Sequence, residues 1–223
     1  MRLKRDFIHD LAEVLTGLDG EPFALVRFAD GERAILEGKE VGSADGWSVP
    51  PIESKFTRDI WRSLTYSDEN YFIGISCVCC DSDSHSWYNN NIATPVERLT
   101  FSNLFVNGNF EFFSAYVEEN NLIKECAIVG SAPGCDYAVP ENAVNNDWNI
   151  DGLIGELRKE TRPILVAAGP ASCNIIYRFW SETQRITPIV DIGSALDLFL
   201  HGRLTRGYHG KNSPNRKKIC RWK

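Results

Sequence analysis

Apolar positions along this chain alternate between helical and strand spacing from one end to the other. Leu3, Phe7, Ile8, Leu11, Val14, Leu15 and Leu18 recur every three or four residues, which predicts an amphipathic helix over 3–18, closed by Gly17 and Gly20. The run 23–28 is continuous and apolar, as a buried strand is. A short helix over 31–37 follows, then a Gly/Ser/Pro-rich loop over 38–51 that carries Trp47, then a helix over 52–66 with Pro51 near its start. Residues 71–78 are rich in β-branched and aromatic types and read as a strand; 81–91 are polar and read as a loop. A helical stretch over 95–101 leads to an expected strand over 103–106. Helix 109–120, strand 126–129, helix 150–160, strand 164–168, helix 171–181, strand 187–191 and helix 195–200 complete the pattern. Strands alternating with helices predict an α/β fold: a Rossmann-like, mostly parallel sheet with helices on both faces.

No repeat or low-complexity block interrupts the pattern, so a single domain over 1–223 is expected, with a basic C-terminal segment, 203–223. The chain is 43% hydrophobic, enough for one buried core at this length. No apolar run approaches the roughly 20 residues that span a bilayer. No apolar signal core follows the basic start, so a soluble, cytoplasmic protein is expected, in a host cell if the source is viral.

The formal charge of −6 hides an asymmetry. From Gly202 onward there are eight Lys or Arg and no acid, leaving 16 basic against 30 acidic residues elsewhere. An acidic body argues against nucleic-acid binding. The basic segment suits a diphosphate, an anionic surface or the acidic body itself, and a solvated tail explains its last residues equally well. Seven cysteines do not make a disulfide scaffold here. Cys77 and Cys80 have C-x-x-C spacing, but no second pair accompanies them and only His85 is near. A small buried hydrophobe is the better reading of Cys77.

Three strand-to-helix turns carry the candidate chemistry. In the first, Arg27-Phe28-Ala29-Asp30-Gly31-Glu32, two carboxylates stand where a strand ends. Ligands of open α/β sheets bind at the carboxyl ends of strands, and hard cations take carboxylate oxygens. Asp30 and Glu32 are therefore candidate ligands for a divalent cation, Mn²⁺ or Mg²⁺. A plainer account has Asp30 capping the helix and Glu32 facing its dipole. With Asp30 as the cap, a capping box would want Glu or Gln at position 33, which is Arg33. Arg27 is either a cation for a bound anion or the structural partner of Asp30. In the second turn, Gly169-Pro170-Ala171-Ser172, Pro170 fits the first helical position and the N–H groups of Ala171 and Ser172 are expected to face an anion. An ordinary strand-to-helix turn is as good an explanation. In the third, Asp191-Ile192-Gly193-Ser194, Ser194 is a natural N-cap with Asp197 as its capping-box partner, which competes with a catalytic Asp197.

Taken together and in order, these motifs resemble those of the GT-D fold glycosyltransferases. The match is R-[FY]-x-D-G-E at 27–32, G-P-[STA] at 169–171 and D-[IV]-G at 191–193. The resemblance runs from about Phe23 to the basic segment, and departs from the family where Ser194 replaces a histidine. It implies a metal-dependent transferase that moves a sugar from a nucleoside-diphosphate donor, typically a UDP-sugar, to a hydroxyl of a glycan or glycoconjugate. Carried over, Asp30 and Glu32 hold the metal. Arg27, Gly31, Gly169, Pro170, Ala171, Ser172, Gly193 and Ser194 line the donor, and Arg206 and His209 belong to a segment that closes over it.

An inverting transferase also needs a base for the acceptor hydroxyl. Asp81, Asp83, Glu97, Asp191 and Asp197 are candidates, with Asp197 slightly favoured and Asp81 and Asp191 next. Retaining chemistry stays open. The loop 80–88 combines acids, His85 and aromatics in a way that suits a sugar or a solvated surface equally. The alternatives are another Rossmann-like nucleotide-dependent transferase, weakened by the absence of a G-x-G-x-x-G after any strand, and a non-catalytic nucleotide-sugar-binding module.

Overall fold

The computed structural model describes residues 1–40, 46–145, 148–203 and 205–206. Seven strands form one sheet: β1 (Ala24–Arg27), β2 (Tyr71–Ile75), β3 (Leu99–Phe101), β4 (Ala127–Gly130), β5 (Tyr137–Ala138), β6 (Ile164–Ala167) and β7 (Ile189–Asp191). Their order is β3-β2-β1-β7-β6-β4-β5, and every neighbouring pair is parallel. From β1 the chain winds outward through β2 and β3. It then crosses to the far half and works back to β7. The winding reverses between β1 and β7, so the crevice of a doubly wound sheet belongs there.

Alternation along each strand divides the core in two. Val26, Ile73, Val129 and Val166 face helices α2 (Asp30–Glu37), α3 (Lys55–Thr65), α7 (Ile150–Leu157) and α8 (Ala171–Glu182). Leu25, Phe72, Ile128 and Leu165 face α1 (Phe7–Gly17) and α5 (Phe110–Glu119). Both faces are covered, which is why the strands read as continuous apolar runs.

Four sequence expectations change. Helix α1 starts at Phe7, where Asp6 accepts the His9 N–H at 2.8 Å, and Ile8 is 67% exposed rather than part of the apolar stripe. The expected loop 81–91 is helix α4 (Ser82–Asn91), capped by the Asp81 carboxylate on the Ser84 N–H. Its few buried side chains, Ser84, His85 and Tyr88, form a stripe too polar to register as a helix face. The helical reading of 95–101 yields to a single 3₁₀ turn, Val96–Arg98, and strand β3. The strand expected over 103–106 is a run of turns whose Leu104 and Phe105 are buried beneath the sheet. A short apolar run has no period long enough to tell these apart. Two further elements went unread: α6 (Leu122–Glu125) and the two-residue β5. Helix α9 (Asp197–His201) is preceded by a 3₁₀ turn, Gly193–Leu196.

Candidate active site

The carboxyl ends of the strands surround a cavity of about 680 Å³. That volume lies within the range of small-molecule sites. Its lining begins with the residues that leave the strands: Ala29 after β1, Ser76 after β2, Ser102 after β3, Ser131 after β4, Ala167 at the end of β6 and Gly193 after β7.

Arg27 ends β1 and points across the reversal point of the sheet. Its Nη2 donates to Asp191 Oδ1 at 3.2 Å, at the end of β7, and its Nη1 donates to the Ser102 carbonyl at 2.5 Å, just past β3. Its partner is therefore Asp191, not Asp30. Two glycines make room for it. A Cβ on Gly74, its register partner on β2, would crowd Arg27 Cγ at 3.2 Å and the Phe101 carbonyl at 2.9 Å. A Cβ on Gly193, which has φ 51°, would collide with Arg27 Nη2. The Gly193 N–H donates to the same Asp191 oxygen at 2.9 Å. Asp191 is 4% exposed. Burial raises its carboxyl above the usual range, and Arg27 opposes that rise.

The D-G-E turn starts one residue earlier than the sequence reading placed it. Ala29 is the N-cap of α2, so Glu32, not Arg33, occupies the capping-box position. Glu32 Oε2 accepts the Ala29 N–H at 2.8 Å. The Tyr88 hydroxyl, from α4, donates to the Ala29 carbonyl at 2.5 Å and pins the turn from outside. Glu32 is 8% exposed. Burial first, then the neighbouring charges of Asp191 and Asp30, push its carboxyl up to about 7 despite the Ala29 hydrogen bond. Asp30 is exposed at the mouth of the same cavity. Trp47 lies against the α-carbon of Gly31: a Cβ there would touch the indole at 3.4 Å and Pro170 at 3.7 Å.

The second turn sits differently from expectation. Gly169 and Pro170 line the cavity, with Pro170 as the N-cap of α8 rather than its first residue. Ala171 and Ser172 are fully buried. The Ser172 N–H donates to the Gly169 carbonyl at 2.9 Å, and its hydroxyl accepts the Ala168 N–H at 3.2 Å. The Ser172 amide of the expected cradle is thus used inside the turn.

At the third turn Ile192, not Ser194, caps the 3₁₀ segment, and no side-chain hydrogen bond caps it. The Ser194–Asp197 capping box is not formed. Asp197 instead lines the cavity half-buried at the start of α9 and accepts a hydrogen bond from the Thr205 hydroxyl. His201, one helical turn on, lines the cavity with it, as do Ser194 and Arg206.

Asp81 lines the cavity from the β2 side, where hydrogen bonds from Ser84 and the nearby Arg33 outweigh burial and hold its carboxyl below the usual range. Asp83 faces solvent and pairs with Arg33 at 2.6 Å. Glu97 is exposed on the 3₁₀ turn before β3. His85 is tied inward, Nδ1 to the Ser76 carbonyl at 2.8 Å and Nε2 to Asn89 at 2.7 Å. His209 and most of the 203–223 segment lie outside the described residues.

The structure thus brings together Arg27, Asp30, Gly31, Glu32, Asp81, Gly169, Pro170, Gly193, Ser194, Asp197 and Arg206, with Asp191 beneath. Sequence reading missed Ser76, Ser102, Ser131 and His201. Ser76 and Ser131 had a signal: each is the first polar residue after an apolar run, at the end of the strand where ligands bind.

No family model and no curated protein match this chain by sequence. Solved structures do resemble it. One is described as a new glycosyltransferase (DUF1792) from Streptococcus sanguinis. It is 14% identical with a TM-score of 0.57, over 98% of this chain and 93% of that one. Another is described as the highly conserved domain of unknown function 1792 with a distinct glycosyltransferase fold. It is 15% identical with a TM-score of 0.56, over 98% and 90%. At these identities the likeness establishes a shared glycosyltransferase fold.

Proposed function

We propose that this chain is a glycosyltransferase that moves a sugar from a nucleoside-diphosphate donor, a UDP-sugar, to a hydroxyl of a glycan or glycoconjugate acceptor. The observation that carries this reading is the placement of Asp30 and Glu32 at the end of β1, beside the reversal point of the sheet. They face Asp197 and Arg206 across one cavity, in a glycosyltransferase fold.

The donor set suits Mg²⁺ or Mn²⁺. Asp30 and Glu32 offer hard oxygens, and substrate phosphates customarily supply the rest of such a shell. Burial first, and then the charges of Asp191 and Asp30, lift Glu32 to about 7. A divalent cation beside it would favour its ionised form. When bound, it supplies Lewis-acid neutralisation of the charge that grows on the departing diphosphate.

The remaining work falls to the chain itself. Arg27, held in place by Asp191 and the Ser102 carbonyl, presents a fixed positive charge at the cavity floor, and Arg206 adds a second at the rim. Trp47, beside the D-G-E turn, offers an aromatic face for a base or a sugar ring. Asp197 is the base for the acceptor hydroxyl: it is half-buried, faces the cavity and is not consumed by a helix cap. His201 stands one turn away to share the proton. Asp81 is the weaker candidate, because its cap on α4 holds it ionised at low basicity.

The test is donor hydrolysis and transfer across a panel of nucleotide-sugars, with and without Mn²⁺. Asp30→Asn and Glu32→Gln are each expected to lower metal-dependent turnover by at least about 100-fold, the scale of losing one charge-stabilising group, with circular dichroism unchanged. Full turnover in both variants would remove the reading.

A further inference from the structure

Strand β2 stops at Ile75, three residues short of the strand expected from the apolar run, and the chain turns at once. The N–H groups of Cys80 and Asp81 both donate to the Cys77 carbonyl, at 3.2 and 3.0 Å. That tight turn brings together three thiols that a C-x-x-C reading counted as two. The sulfurs of Cys77, Cys79 and Cys80 lie within 4.8 Å of one another, and Cys77 Sγ is 3.3 Å from Cys79 Sγ. Two thiolates on one zinc, each at about 2.3 Å in tetrahedral geometry, stand about 3.8 Å apart. The Cys77–Cys79 separation lies near that distance, and all three sulfurs fall within reach of one ion.

Exposure supports a ligand role over packing. Cysteine is among the most buried residue types, and Cys126 and Cys173 are buried here. Cys79 and Cys80, by contrast, are exposed. Cys77 is anchored against the rings of Phe7 and Phe101, and the Asn103 side-chain amide donates to Cys80 Sγ at 3.8 Å. Among the described residues this is the one group of three His, Cys, Asp or Glu side chains that converges closely enough to hold a single ion. Three sulfurs suit a soft or borderline cation and not the hard cation proposed for Asp30 and Glu32.

We propose that Cys77, Cys79 and Cys80 form a three-thiolate site for one thiophilic cation of the zinc class, built on the β2–α4 turn and separate from the carboxylate pair. Binding converts thiols to thiolates and releases their protons to solvent, so affinity rises with pH. Cys80 lines the same cavity as Asp81, and Asp81 caps α4. Loading the site therefore fixes the turn that presents Asp81 to the cavity, which makes it a positioning device for that wall.

The experiment uses the full chain, reduced and stripped with a chelator, titrated with Co²⁺ as a spectroscopic probe and then with Zn²⁺ in competition. The expected result is one equivalent of Co²⁺ giving a sulfur-to-metal charge-transfer band, displaced by one equivalent of Zn²⁺. Cys79→Ser and Cys80→Ser, both at exposed positions, should each weaken uptake by about 100-fold or more, beyond what loss of a supporting partner costs. Cys135→Ser and Asp30→Asn should leave the band intact, which separates this site from the proposed donor site. Cys77→Ser is the less secure variant because it disturbs a buried contact, so the two exposed positions carry the test. Absence of the band in the reduced wild-type chain, or its survival unchanged in both exposed variants, would overturn the proposal. So would closure of a disulfide among the three cysteines in place of metal uptake.

Discussion

Glu32 serves two structural demands with one carboxylate: it caps α2 through the Ala29 N–H, and it lies beside Asp191 and Asp30 in a buried place. Its folded-state value of about 7 stands above the ordinary 4.5. Between those two values the folded chain binds the proton more tightly than the unfolded chain does, so this group's contribution to stability falls as pH rises from about 4.5 to about 7. Glu32→Gln keeps a cap acceptor and has nothing to titrate. Urea unfolding at pH 5 and pH 8 should show the variant gaining about 2–3 kcal/mol over wild type between the two. Equal pH dependence in both proteins would contradict this account of Glu32. Gly193 is the other telling residue. Gly193→Ala forces a side chain into a left-handed conformation and into Arg27. A stability loss of about 1–3 kcal/mol is expected, with donor turnover reduced more than stability alone explains. An Arg27→Lys variant should match it in turnover, because an ammonium cannot reach Asp191 and the Ser102 carbonyl together. At this scale the sequence told part of the story. The D-x-E pair was visible from its position, but the cap that Glu32 makes was hidden by a one-residue error in where the helix begins.

Among the elements, strands buried on both faces were legible because they are unbroken apolar runs, and α3 and α8 because their stripes are strong. Helix α4 was not legible, since it is held by tertiary bonds that no local pattern encodes. Those bonds are Tyr88 to the Ala29 carbonyl and His85 to the Ser76 carbonyl, while its Asp81 cap is local but is followed by no apolar stripe. Tyr88 also packs its ring on Phe28 at 5.9 Å. Tyr88→Phe keeps that packing and removes one hydrogen bond. It should cost about 1 kcal/mol and lower donor affinity by loosening the D-G-E turn, measured as a rise in KM with a smaller change in kcat. An unchanged KM would mean that the hydroxyl does not position the turn. The strand misplaced to 103–106 failed for the opposite reason: Leu104 and Phe105 are buried, as strand residues would be, but in turns.

For the whole molecule, the parallel sheet and its two covered faces followed from the order of elements, while the position of the reversal point did not. Strand order depends on which β-strands pair at long range, and nothing local to β1 or β7 announces that they meet. Yet that meeting creates the site, by setting Arg27 against Asp191. If the cavity takes a nucleoside diphosphate with its cation, UDP and Mn²⁺ together should raise the unfolding midpoint more than either alone. Asp30→Asn should remove the extra rise. A midpoint indifferent to UDP with Mn²⁺, and to every other nucleoside diphosphate tried, would favour a different ligand.

Some of the ion pairs that do not face the cavity lie at the opposite, amino-terminal edge of the sheet. Ahead of β6, Glu160 accepts from the backbone of Thr161 and Arg162, from the Arg162 guanidinium and from the Tyr137 hydroxyl, and Arg162 holds its carboxyl down to about 2. Ahead of β2 and β7, Asp68 and Arg185 join at 2.6 Å. Among the described residues, Asp30, Glu32, Asp81, Asp191 and Asp197 gather at the other edge. The two edges therefore differ in what their charged groups do. A pooled library scored separately for cellular abundance and for turnover should split along the sheet. Changes at Glu160, Arg162, Asp68 and Arg185 would deplete abundance, and changes at Asp30, Asp197 and His201 would deplete turnover at normal abundance. If the cavity binds donor and acceptor as proposed, changes at Asp30, Asp197 and His201 can alter what it binds at little cost to folding.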